Sequence, residues 1–203
     1  MKKDMTITYV VDNALYVNVT NRCTNRCEFC IRKNGDGAYG SDSLWLVREP
    51  SEDEILESVF SHDLSAFSEL VFCGYGEPSI RLDVILAVAK KVKEKCSIPI
   101  RINTNGHSSI YHGYNTAPDY AGAFDAVSIS LNTPSKERYN EICHPDFDDA
   151  YTAMLDFAGE VKKYVPKVAL SVVRDFLTQS ELDECARIAD SLGVSLKVRD
   201  YIS

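Results

Sequence analysis

Short apolar runs alternate along the chain with longer stretches in which apolar residues return every three or four positions. The runs are Ala14–Thr20, Glu69–Cys73, Ile98–Thr104, Ala126–Leu131, Lys167–Val173 and Ser195–Tyr201. They are short and mostly β-branched or apolar, as strands buried on both faces should be. The intervening stretches read as helices. Ser51-Glu52-Asp53-Glu54 is a capping box that opens one, with Ile55, Leu56, Val59 and Phe60 on a single face. A second covers Leu82–Lys95, with Ile85, Leu86, Val88, Ala89 and Val92 inward. A weaker one falls around Pro118–Ala123, and Thr133-Pro134 reads as an N-cap followed by proline in the first turn. Another is expected over Asp149–Tyr164, and the last runs from the capping box Thr178-Gln179-Ser180-Glu181 to a stop at Gly193.

Strands alternating with helices predict an α/β fold with a parallel sheet and right-handed crossovers. Six strands are too few to close an eight-stranded barrel. The expected architecture is a partial (β/α)6 TIM-like barrel forming one domain over residues 1–203, without an extension after the sixth strand. Residues 31–50 break the rhythm. They show no periodicity, contain Gly35, Gly37 and Gly40, and carry the single tryptophan, Trp45. A loop of that length in a compact domain usually has a task or is mobile; Trp45 reads either as a cap on the core or as a contact for substrate or partner.

Composition narrows the classes of function. The 203 residues are 45% hydrophobic and 26% charged, with a net charge of −8. An acidic surface repels a phosphate backbone, and no basic patch of useful length offsets it; Lys90, Lys91, Lys93 and Lys95 surround Glu94 on a solvated helix face. No apolar run is long enough to span a bilayer, and the charged start lacks the apolar stretch of a signal peptide. A cytoplasmic protein is expected.

Of the seven cysteines, three fall within eight residues: Cys23, Cys27 and Cys30, directly after the first predicted strand. In a reducing compartment clustered cysteines bind metal more often than they pair. A short loop can place three thiolates on three corners of an iron–sulfur cluster, leaving one iron open to a small chelating ligand. Arg22, Arg26 and Arg32 would help keep the thiolates ionised. Two alternatives stand beside this reading. A structural zinc site needs a fourth ligand, for which Cys73, His62, His107 and His112 are candidates. A Cys27-x-x-Cys30 redox pair leaves Cys23 unexplained. Cys96, Cys143 and Cys185 read as isolated, and Cys73 as a small buried residue.

With Phe29 before Cys30, the spacing Cys-x-x-x-Cys-x-aromatic-Cys resembles the signature of the radical S-adenosylmethionine superfamily. Further segments extend the resemblance over nearly the whole chain. Gly74-Tyr75-Gly76-Glu77-Pro78 looks like that family's Gly-Gly-Glu-Pro motif with Tyr75 inserted. Asn103-Thr104-Asn105-Gly106 ends the third strand as in many members, and Ser128-Ile129-Ser130-Leu131-Asn132 matches the fourth-strand segment. The Gly-Tyr-Gly-Glu-Pro wording, together with Leu44-Trp45-Leu46 and Glu49-Pro50, is most similar to the TatD-associated members. The resemblance implies a 4Fe–4S cluster on Cys23, Cys27 and Cys30 and contacts to S-adenosylmethionine from Phe29, Gly74, Tyr75, Gly76, Glu77, Asn105, Ser130 and Asn132. Glu77 would accept from the methionine ammonium.

The layout supports this independently, because every polar motif falls at the carboxyl end of a strand, where parallel α/β folds place their sites. Ser130 and Asn132 share one face by the two-residue strand period. Arg174, Lys197 and Arg199 are available to a methionine carboxylate or a substrate anion. The expected activity is reductive cleavage of S-adenosylmethionine, in which the 5′-deoxyadenosyl radical takes hydrogen from an unidentified substrate under anaerobic conditions. The resemblance also implies an external flavodoxin or ferredoxin donor, and a TatD-like hydrolase or another protein as partner. An activase that installs a glycyl radical on a partner enzyme, and a non-enzymatic zinc module, are the alternatives.

Overall fold

The computed structural model describes residues 5–201. A seven-stranded sheet runs in the order β1 (Thr8–Val11), β2 (Ala14–Val17), β3 (Glu69–Phe72), β4 (Ile100–Thr104), β5 (Ala126–Ser130), β6 (Lys167–Val173) and β7 (Ser195–Arg199). All neighbours from β2 onward are parallel, and the sheet is open. The expected partial barrel is therefore present. The six expected strands are all found, β6 with the expected ends and each of the others shortened at one end.

β1 is an addition. It pairs antiparallel with β2 through the two-residue turn Asp12–Asn13, and Asp12 takes the left-handed backbone that a short polar side chain tolerates (φ 53°). In Thr8-Tyr9-Val10-Val11 polar and apolar residues do not alternate, although the strand is solvated on one face.

The helices are α1 (Glu52–Phe60), α2 (Leu82–Lys95), α3 (Ser108–His112), α4 (Lys136–Cys143), α5 (Ala150–Val161) and α6 (Gln179–Leu192). Both capping boxes form, on Ser51 and on Thr178, and α6 stops at Gly193 in the left-handed region (φ 63°). The Thr133-Pro134 cap does not form. The N-cap of α4 is Ser135, whose side chain accepts from Arg138 N, while Thr133 is fully buried. The weak helix around Pro118 is a single 3-10 turn, Ala117–Tyr120.

Leu70, Phe72, Ile100, Ile102, Val127, Ile129, Leu170 and Val172 face the helices and meet Ile55, Val59, Ile85, Val88, Met154 and Phe157 in one large core. The residues between them in sequence point to the concave face. Residues 31–50, instead of hanging free, build a second small core with Tyr9, Val11, Ala38, Leu44 and Tyr75. Trp45 caps the side of this small core: it is 39% exposed and edge-on to Tyr75 at 5.0 Å. Among the described residues no helix is long and apolar enough to cross a membrane.

Candidate active site

The loop after β2 carries Cys23, Cys27 and Cys30, all half-buried and free. It is held from two sides. On one, Arg26 N and Glu28 N donate to Cys143 O and Ile142 O, 2.8 and 2.9 Å, at the end of α4. On the other, Glu77 N donates to Arg22 O at 2.7 Å. That approach depends on Gly76, because a Cβ there would lie 2.5 Å from Arg22 O and closer still to Thr20 O. Gly74 likewise lies against the Asn18 side chain.

Glu77 is buried at the centre. Its Oε1 accepts from Thr104 Oγ1 (2.7 Å) and Ser79 N (3.1 Å), and its Oε2 from Asn105 N (2.7 Å). It also caps the 3-10 turn Pro78–Arg81, so the helix-start role and the site position coincide. Burial raises its pKa despite those donors. Asn105 turns its amide to Thr24 Oγ1 (2.8 Å) and toward Cys23 Sγ (4.0 Å). Burial, then the Glu77 charge, pushes the Cys23 thiol up to about 12. The Cys27 thiol is raised by its contact with Cys143 and by burial. A bound metal reverses such shifts by displacing the proton.

Two groups brace this loop in a way the sequence does not show. Cys143 is not isolated: it is fully buried, touches Cys27, and its Sγ receives Asn132 Nδ2 at 3.4 Å. His107 is buried between Thr24 Oγ1 (2.9 Å) and Tyr139 Oη (3.1 Å), and Asn25 Nδ2 also donates to Tyr139 Oη at 3.0 Å. Only a single-residue signal exists for either in the sequence; what brings them in is the packing of α4 and the turn before α3 against the cysteine loop.

Other expectations fare differently. β5 ends at Ser130, and Asn132 has left-handed backbone (φ 63°) with its amide on Cys143, so strand alternation does not place it beside Ser130. The Tyr75 side chain leaves the group: it is buried in the small core and donates to Gly35 O at 2.8 Å. Phe29 packs on Phe176, ring centres 5.0 Å apart. Of the three arginines, Arg32 alone has a charge that lowers Cys23 and Cys27. Arg22 pairs with Glu49 and Arg26 with Asp146.

No three His, Cys, Asp or Glu side chains among the described residues converge as ligands of one metal ion do. Three thiols on one loop are one ligand short of a structural zinc site, whereas an iron–sulfur cluster can be held at three of its corners by such a loop. Buried Asn18 Oδ1 and Asn25 Oδ1 have no donor, a polar lining with capacity to spare.

Fold and site together define a class: an open parallel α/β barrel with a three-cysteine loop and a buried carboxylate at the carboxyl ends of its strands. The comparisons agree. Residues 17–189 match the family described as the Radical SAM superfamily. A GTP 3′,8-cyclase of Lactiplantibacillus plantarum is 29% identical over 127 residues, 62% of this chain and 35% of that protein. Molybdenum cofactor biosynthesis protein 1 of Drosophila melanogaster is 24% identical over 188 residues, 93% of this chain and 31% of that protein. The chain thus spans about a third of these relatives. Among solved structures, Streptococcus suis SuiB bound to precursor peptide SuiA superposes with a TM-score of 0.70 at 15% identity, covering 94% of this chain and 39% of that one. TYW1 with a lysine-pyruvate adduct bound gives 0.66 at 10% identity, covering 94% and 65%.

The chain belongs to the radical SAM superfamily, whose enzymes use a 4Fe–4S cluster and S-adenosylmethionine and need an electron donor.

Proposed function

We infer that this chain is a radical S-adenosylmethionine enzyme in which Cys23, Cys27 and Cys30 hold the cluster. The observation that carries the reading is the junction of the three-cysteine loop with the Gly74–Glu77 turn at the carboxyl ends of β2 and β3, sealed by the bond from Glu77 N to Arg22 O at 2.7 Å. When bound, the cluster supplies the electron that splits the sulfonium carbon–sulfur bond of S-adenosylmethionine, giving methionine and the 5′-deoxyadenosyl radical that takes hydrogen from substrate.

The protein's own groups bind and orient. Glu77 sits where a carboxylate receives the methionine ammonium, and a cation there favours the charged form that burial disfavours. Gly74 and Gly76 bring backbone close to the ligand. Asn105 fixes Cys23 and the Thr24 hydroxyl. Ser130 and Asn132 suit ribose hydroxyls or the carboxylate. Phe29 and Tyr75 act by packing, one behind Cys30 and the other under the Gly74–Glu77 turn.

The donor is a flavodoxin or ferredoxin. A finer placement among the TatD-associated members, with a TatD-like hydrolase as partner, rests on Gly74-Tyr75-Gly76-Glu77-Pro78 and Leu44-Trp45-Leu46. Anaerobic reconstitution with iron and sulfide tests the whole reading. A brown protein with broad visible absorption, forming 5′-deoxyadenosine with dithionite, is expected. Cys23→Ala, Cys27→Ala and Cys30→Ala should each remove both. A colourless protein that takes up zinc instead would sink it.

A further inference from the structure

The concave face of the sheet is lined by the residues that alternate with the core. Register places Ser130 beside Ser171 and Ser171 beside Lys197, with Arg199 one step further along β7 opposite Val173. Arg101 lies on the same face, and its guanidinium is engaged bidentately by Glu69 at 2.7 and 2.9 Å. Lys197 and Arg199 have no such partner. Beyond the backbone pairing of β7 with β6, no ion pair or hydrogen bond engages either side chain among the described residues, and Arg199 Nε is shielded from water with no acceptor.

That arrangement is costly as it stands. A buried N–H without an acceptor has lost its hydrogen bond to water and gained none in return, a penalty that is larger in a charged group. The two cations also repel: burial, Arg101 and Arg199 all hold the Lys197 pKa below its usual value, with Glu69 the only opposing charge. The Arg199 charge is also felt at Cys73 and Tyr39, where burial raises both pKa values and Arg199 offsets part of the rise. Toward the other end the concavity opens into a cavity of about 660 Å³, lined among others by Arg101, Ser128, Lys167, Ser195 and Lys197. In a chain of net charge −8 this is a local excess of positive charge facing inward.

We propose that Lys197 and Arg199, with the Ser171 hydroxyl between the strands, form an anion subsite that takes a phosphate or carboxylate group of the substrate. The bound oxyanion supplies the missing acceptor for Arg199 Nε and relieves the repulsion with Lys197, and it directs the rest of the substrate along the concave face toward the cysteine loop. Guanidinium and ammonium side by side suit an oxyanion with several acceptor lone pairs. The assignment of this anion to a substrate rests on the proposed function above.

Calorimetric titration of the full chain, cluster-loaded and cluster-free, with inorganic pyrophosphate and with tricarballylate provides the test, the two probes separating phosphate from carboxylate preference. The parent should bind at least one probe, and the K197Q/R199Q pair should weaken it tenfold or more. R199K should recover part of the loss, and R187Q, which removes an equal charge from exposed α6, should match the parent. Failure of both probes to bind the parent, or equal binding by parent and K197Q/R199Q, overturns the subsite. Loss of S-adenosylmethionine binding in the pair also overturns it, because the cations then serve the methionine carboxylate. A parent that binds the probe cluster-free yet never incorporates iron leaves the anion subsite standing and defeats the radical-enzyme reading alone.

Discussion

Gly76 concentrates the design of the site in one missing side chain. The Gly74–Glu77 turn and the cysteine loop touch backbone to backbone, and a Cβ at Gly76 would meet Thr20 and Arg22 carbonyl oxygens. Backbone atoms cannot swing aside as a flexible side chain can, so one strand end must move. Gly76→Ala should therefore cost about 1–3 kcal/mol, as overpacking does. It should also lower iron incorporation, because the bond from Glu77 N to Arg22 O would lengthen. Urea unfolding and iron content per chain read the two effects; normal values of both would mean the turn is free to shift. At this scale local spacing was enough to single out residues that the structure brings together at one end of the sheet: the three cysteines, the two glycines and Glu77. Cys143 lies 113 positions beyond Cys30, and the sequence holds no sign that α4 returns it to Cys27. Tyr75 was misplaced for the converse reason: it is adjacent in sequence to both glycines, but its side chain is claimed by a different core.

Element ends followed local rules wherever caps were strong. The Ser51 and Thr178 boxes and Gly193 fixed α1 and α6, and β6 kept both its expected ends. β1 was missed because its four residues carry no alternation, and α4 began late because Thr133 is buried while Ser135 caps. The turn into α3 holds the group whose titration should be visible in stability. Burial pushes His107 down to about 4 against weaker opposition from Asp146 and Ala150, and its ring lies between two hydroxyls and near the Phe147 ring. The native ring is therefore neutral while the unfolded one, near 6.5, takes up a proton first. Stability from this group is complete above pH 6.5 and declines as pH falls toward 4, by on the order of 3 kcal/mol at the acid end. His107→Gln keeps a polar side chain but does not titrate. Urea unfolding from pH 7 to 4.5 should show a flatter decline in H107Q than in the parent; parallel curves would place the proton uptake elsewhere.

The whole molecule consists of two cores of unequal strength. The large one lies between sheet and helices; the small one has five buried residues, Tyr9, Val11, Ala38, Leu44 and Tyr75, joining residues 35–46 to the hairpin and to the turn that carries Glu77. Hydrogen bonds from residues 35–46 to the rest of the described chain are few: Asn18 Nδ2 to Leu44 O (2.7 Å), Asn21 Nδ2 to Leu46 O (2.7 Å) with Leu46 N back to Asn21 Oδ1 (3.1 Å), and Tyr75 Oη to Gly35 O (2.8 Å). A segment so held should open without unfolding the barrel, because its loss exposes little of the main core. Leu44→Ala removes a side chain that is 1% exposed. Truncations of that kind cost about 2–5 kcal/mol, here set against the small core alone. Amide exchange over residues 35–46 should then accelerate by about 30-fold to a few thousand-fold, since each ~1.4 kcal/mol is tenfold, while β3–β6 exchange and the global midpoint change little. A matching fall in the global midpoint would mean that the two cores unfold as one. The distinction matters for the site, because Tyr75 links the small core to the Gly74–Glu77 turn. Opening of residues 35–46 in L44A should loosen that turn and speed exchange at Glu77 N, whose acceptor is Arg22 O on the cysteine loop.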